Sequence, residues 1–126
     1  MSREAAIEEL QRRADAIEGG YELMLAYAAQ GLASDQGAAN SSQLRDHLQR
    51  FDAALTGLPQ VYRDAAKVLG VWPQESLEGL LKTLEADATF TQSALRMALA
   101  QPGISSQLVD NLNASIHVRA LLTSGT

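Results

Sequence analysis

The chain is predicted to be all-α: an antiparallel up-down-up-down four-helix bundle with long, kinked helices, in a single domain spanning residues 1–126. Two observations predict it. Four stretches carry apolar residues at alternating three- and four-residue steps, which keeps one stripe of each helix turned toward a neighbour. Short joints at 70–73 and 101–105 then favour antiparallel neighbours. No strand pattern and no internal repeat at a fixed period competes with this assignment.

The first stretch reads Ile7, Leu10, Ala14, Ile17, Tyr21, Met24, Ala28 and predicts a helix from about 3 to 32. Ser2 is a suitable N-cap, and Glu4 falls in the first turn, where the helix dipole favours an anion. Gly19-Gly20 interrupts the segment, but the stripe keeps its register from Ile17 to Tyr21, so one bent helix is expected. Paired glycines also let another backbone approach closely. Gly31 is a stop signal, and residues 33–42 form a loop of small and polar residues.

The second stretch (Leu44, Leu48, Phe51, Leu55, Leu58, Tyr62, Ala65, Leu69) starts near Asn40–Ser42, where Asn40 and Gln43 stand at capping-box spacing. Gly57-Leu58-Pro59 breaks or kinks it, because proline lacks a donor and clashes with the preceding turn. The stripe continues from Leu55 to Leu58 to Tyr62, so a kinked rod or two collinear helices is expected rather than a chain reversal. Gly70 ends the segment as a C′ residue. Pro73, after Trp72, suits the first position of a third helix. That helix follows Leu77, Leu81, Leu84, Ala88, Thr91, Leu95 and Ala98 to about Ala100, and Gln101-Pro102-Gly103 stops it. The fourth helix, Leu108, Leu112, Ile116, Ala120, runs from Ser105 or Ser106 to about Thr123.

Composition narrows the function classes. The chain has no cysteine, which removes disulfide frameworks, thiol catalysis and cysteine-ligated metals. A formal net charge of −5 with no clustered basic surface argues against nucleic-acid binding. The charged N-terminus lacks the apolar run of a secretory signal, and no stretch of about 18 apolar residues predicts a membrane span. A cytoplasmic protein is the expectation.

Charge is distributed unevenly. Residues 1–50 hold thirteen Asp, Glu, Lys or Arg residues, whereas residues 88–126 hold three, Arg96, Asp110 and Arg119. A peripheral bundle helix normally carries a charged outer face. The last helix is therefore either central in the fold or part of a contact with another chain, and four long helices leave no central position. A homodimer through the charge-poor C-terminal helices is expected. Leu108, Leu112, Ile116 and Leu121 would supply packing or pairing, and Trp72 would either plug the bundle end or anchor a partner. The alternative is that Ser, Thr, Asn and Gln merely form an uncharged solvent face.

Candidate chemistry is sparse. Asp110, Asn113 and His117 stand at i, i+3 and i+7, along one helical face. They could form a polar site, or a satisfied cluster that fixes helix register. Tyr21, Met24 and Tyr27 beside Gly19-Gly20 could line a ligand pocket with Asn113 and His117, or simply be core. A di-metal carboxylate site needs Glu-x-x-His on two helices, and the chain has none. His47 lacks the glycine that follows the acceptor in histidine phosphotransfer domains, leaving a boundary histidine as the simpler assignment. No glycine-rich phosphate loop or nucleophile elbow is present. No catalytic residue, metal or cofactor is assigned. The expected function is a non-enzymatic interaction module (adaptor, regulator or assembly factor) that self-associates. A small-molecule-binding bundle stands second and a histidine phosphotransfer domain third.

Overall fold

The computed structural model describes residues 2–37, 41–70 and 74–124, the last eight of these as helical backbone only. Among the described residues the chain is all-helical, with five helices and no strand. In chain order they are α1 (Arg3–Ala29), α2 (Ser41–Leu55), α3 (Leu58–Leu69), α4 (Gln74–Leu99) and α5 (Ser106–Ser124). No helix among them is long and apolar enough to cross a membrane.

The start of α1 follows the sequence signals. Ser2 caps it by accepting from the Ala5 N–H, and Glu4 lies in its first turn. The helix runs through Gly19-Gly20 without a break and ends before Gly31, whose φ of 66° turns the chain out of the helix. At Gly20 a Cβ would stand 2.7 Å from the Phe51 ring, so the missing side chain is what lets α1 and α2 approach.

The expected count of four helices is corrected to five at Gly57. This residue takes a left-handed conformation (φ 70°), which ends α2, and Pro59 then sits in the first turn of α3, where its missing donor costs nothing. The break does not reverse the chain. Arg45 of α2 reaches the Leu99 carbonyl, Asp52 meets Arg96, and Arg63 of α3 meets Glu78. The partners move steadily back along α4 as the chain advances, so α3 continues the antiparallel path of α2. Gly70 ends α3 in the left-handed conformation expected of a C′ glycine, its N–H donating to the Ala66 carbonyl.

Two long side chains close the exposed end of α2. Arg13 Nη1 donates to the Ala54 carbonyl at 3.0 Å and the Thr56 carbonyl at 2.6 Å. From the other side, Gln92 Nε2 donates to the Asp52 carbonyl at 3.0 Å. A helix C-terminus leaves carbonyls unpaired and carries partial negative charge, so a guanidinium there both satisfies acceptors and complements the dipole.

The main core gathers Met24, Tyr27, Leu44, Leu48, Phe51, Leu55, Leu95, Ile104, Val109 and Leu112. A smaller cluster of Ala66, Leu77 and Leu81 lies between α3 and the start of α4, with Leu84 packed against both. The helix α5 packs on α1 and on α4. It begins beside the end of α1, where the Ser106 N–H donates to the Leu32 carbonyl at 2.8 Å.

Candidate functional site

The most developed polar site is one the periodicity did not point to. Asp35, in the loop after α1, is 1% exposed. Its Oδ2 accepts from Arg45 Nε at 2.7 Å and Ser41 Oγ at 2.9 Å. Its Oδ1 accepts from Arg45 Nη2 at 3.1 Å and from the Ile104 N–H at 2.6 Å. Arg45 also donates to the Leu99 and Gln101 carbonyls, closing the C-terminal end of α4. These donors, the Arg45 guanidinium first, hold the Asp35 carboxyl well below the usual carboxylate range against the opposing effect of burial.

A second set of bonds surrounds this pair. Ser106 Oγ donates to the Tyr27 carbonyl at 2.6 Å and accepts from the Leu32 N–H at 2.9 Å. The Tyr27 hydroxyl donates to the Ile104 carbonyl, and burial pushes that phenol's pKa up. Gln36 Nε2 donates to the Pro102 carbonyl at 2.7 Å. Gly103 packs so closely on Ser34 that a Cβ there would fall 2.2 Å from the hydroxyl. The loop after α1 and the joint between α4 and α5 are thereby one laced unit. Its carboxylate is saturated with donors and ionised at neutral pH, so its chemistry is structural: it positions the start of α5.

The residues singled out from sequence distribute as follows. Met24 and Tyr27 are fully buried, and Tyr21 packs against the same core. Leu112 is buried in the chain's own core, with Leu108 and Ile116 half-buried at its margin. The polar row on α5 divides: Asp110 is exposed and lines a groove of about 300 Å³ with Ala28, Gly31 and Leu32, while Asn113 is buried. The side chains of His117 and Leu121 and the whole of Trp72 lie outside the described residues. His47 is half-buried opposite Gly19, its Nδ1 donating to the Gln43 carbonyl at 2.9 Å.

Asn113 Oδ1 is buried with no hydrogen-bond partner among the described residues. An unpaired buried acceptor costs the desolvation of that atom, and an apolar side chain of similar size removes the cost. Asn113→Leu is therefore expected to raise stability by about 1 kcal/mol, measured as a shift of the urea midpoint at unchanged slope.

Among the described side chains of α5, those on the outer face are neutral, with Gln107, Asn111, Ala114 and Ser115 exposed and Asp110 turned toward α1. On α4, which packs on α5, Phe90 and Met97 stand seven residues apart on one face, both more than a third exposed. A groove of about 350 Å³ at the α2–α3 break is lined by Leu55, Pro59, Gln60, Arg63, Glu85 and Gln92, among others. Its Arg63 is already paired with Glu78 through two bonds of 3.0 Å, and its Gln92 serves the Asp52 carbonyl. No group of three His, Cys, Asp or Glu residues among those described is arranged to hold a metal ion.

Asp35, Arg45, Arg13 and Ser106 were missed because their roles depend on loops and helix ends rather than on a stripe. One signal was available: Asp35 is the only charged residue between Glu22 and Arg45. With this geometry in hand, comparison of the chain with protein-family models, with curated proteins and with solved structures finds no match.

Proposed function

We propose that the protein is a non-enzymatic helical interaction module, an adaptor, regulator or assembly factor, that self-associates through its charge-poor C-terminal helices. In this proposal α2 and α3 act as one broken arm, so the five helices amount to an up-down-up-down bundle with four arms. The observations that support it are the exposed Phe90 and Met97 on one face of α4 and, on the neighbouring α5, the exposed uncharged residues Gln107, Asn111, Ala114 and Ser115. An apolar patch rimmed by neutral polar groups is what an association surface requires, since few charges must be desolvated on contact. The Asp35–Arg45 clasp supports the same proposal, because it fixes α5 against the rest of the molecule and makes the face a rigid one.

The test is the solution mass by light scattering across a range of concentrations. A dimer is expected, and Met97→Glu should return it to monomer without unfolding it, because the side chain is already half in water. Ile116→Glu is a poorer probe, since Ile116 packs against the core and its loss would damage the fold itself. A wild-type monomer at every concentration would end the proposal.

A further inference from the structure

The groove of about 350 Å³ at the α2–α3 break carries opposite charges on its two walls. Those walls are mid-chain stretches, 55–63 around the turn and 85–92 in the middle of α4, and all their lining residues are described. At Gly57 an added Cβ would meet no atom within 4 Å, so the turn leaves the mouth of the groove clear. Leu55 and Ala88, both buried, give it an apolar floor. On the α3 wall, Arg63 donates through Nε, Nη1 and Nη2 to Glu78 and Gln60, which still leaves one N–H on each terminal nitrogen. On the α4 wall, Glu85 is exposed and makes no ion pair or hydrogen bond among the described residues. The pKa of Arg63 is raised, first by its bonds to Glu78 and to a smaller degree by the fields of Glu78, Asp64 and Glu85. Arg63 and Glu85 are thus near each other without touching. Gln92 completes the α4 wall. Its amide nitrogen donates to the Asp52 carbonyl and the Thr56 hydroxyl, so its carbonyl oxygen remains as an acceptor.

We infer that this groove binds a free α-amino acid with an apolar side chain, its carboxylate on Arg63, its ammonium between Glu85 and the Gln92 carbonyl, and its side chain over Leu55 and Ala88. Charge sets the ligand class. A simple anion would meet Glu85 and a simple amine would meet Arg63, so each would gain one contact and suffer one repulsion. A zwitterion satisfies both walls with charge-assisted hydrogen bonds and adds no net charge. Size narrows it further. Sites for drug-sized ligands begin near ~300 Å³, so about 350 Å³ suits one small metabolite and excludes a nucleotide or a folded peptide. The floor then selects the side chain, because a charged one would lose water over Leu55 and Ala88 with no partner there. Both walls stay in contact with water, so the affinity should be roughly millimolar.

The experiment titrates the full-length protein with each of the standard L-amino acids at millimolar concentration and follows the backbone amide resonances. Leucine and its aliphatic relatives are expected to bind, with shifts confined to residues 55–63 and 85–92. Leucinamide lacks the carboxylate and N-acetyl-leucine lacks the ammonium, so each should bind severalfold more weakly. Glu85→Gln should weaken leucine severalfold and leave N-acetyl-leucine no weaker, since that ligand has no ammonium to lose. Thr89→Trp, which fills the groove from α4 and keeps both charges, should remove binding altogether. Glu85 and Thr89 are both exposed, so these variants should fold, and thermal melts check that they do. The inference is overturned if no amino acid shifts these amides, if the binders are the charged ones, or if the shifts map to another surface. It is equally overturned if both leucine derivatives bind as well as leucine, or if Glu85→Gln binds leucine as the wild type does.

Discussion

Replacing Asp35 with alanine is expected to destabilise the protein by about 3 kcal/mol at neutral pH, the lower end of the range for breaking a buried ion pair from one side. The lower end applies because Arg45, left behind, is 28% exposed and recovers some hydration. The Ile104 N–H and Ser41 hydroxyl lose their acceptor at the same time. A loss of this size corresponds to a melting temperature lower by roughly 10–15 °C for a chain of this length. The pH dependence identifies the cause. The folded carboxyl is held below its unfolded value, so its stabilisation is complete above the unfolded pKa and is lost as pH falls below about 4. The stability gap between wild type and Asp35→Ala should therefore narrow steadily between pH 5 and pH 2, in calorimetric or urea unfolding run across that range. A gap that stays constant through this interval would mean that packing, not the charge, stabilises the loop.

Adjacent glycines in α1 should respond to substitution in opposite directions. Gly20→Val is expected to cost about 2–3 kcal/mol, because its Cβ alone would press to 2.7 Å from the Phe51 ring and the added branches must be housed too. Gly19→Ala should stabilise by about 0.5–1 kcal/mol, the helix-propensity difference, because its Cβ meets only His47 at an ordinary 3.9 Å. Urea midpoints of the two variants read both signs directly. If Phe51 is the obstacle, Phe51→Leu should make Gly20→Val less costly than it is in the wild-type background, a coupling that a double-mutant cycle measures.

The features legible in the sequence were those with a period. The stripes, the Ser2 cap, the Gly70 terminus and the stop at Gln101-Pro102-Gly103 all describe local conformation, and local conformation follows from nearby residues. The break at Gly57 was visible too, but its outcome depended on whether Arg13 and Gln92 could close the freed carbonyls, and both lie far away in sequence. The Asp35 clasp was invisible for the same reason, since its bonds span separations from six residues to Ser41 to 69 residues to Ile104. The charge deficit of α5 was read correctly as composition. What it could not convey was that Val109, Leu112 and Asn113 turn inward while Gln107, Asn111 and Ser115 face water.

Because α2 and α3 each terminate on their own, with Gly57 turning between them, their rotational phases are not locked together. In an unbroken rod an inserted residue would swing everything beyond it by about 100° and expose the core face. Here the turn can absorb such a change, held on either side by side chains from other helices. A change in length there would be confined to one side of the turn, with the packing on the other side left as it was.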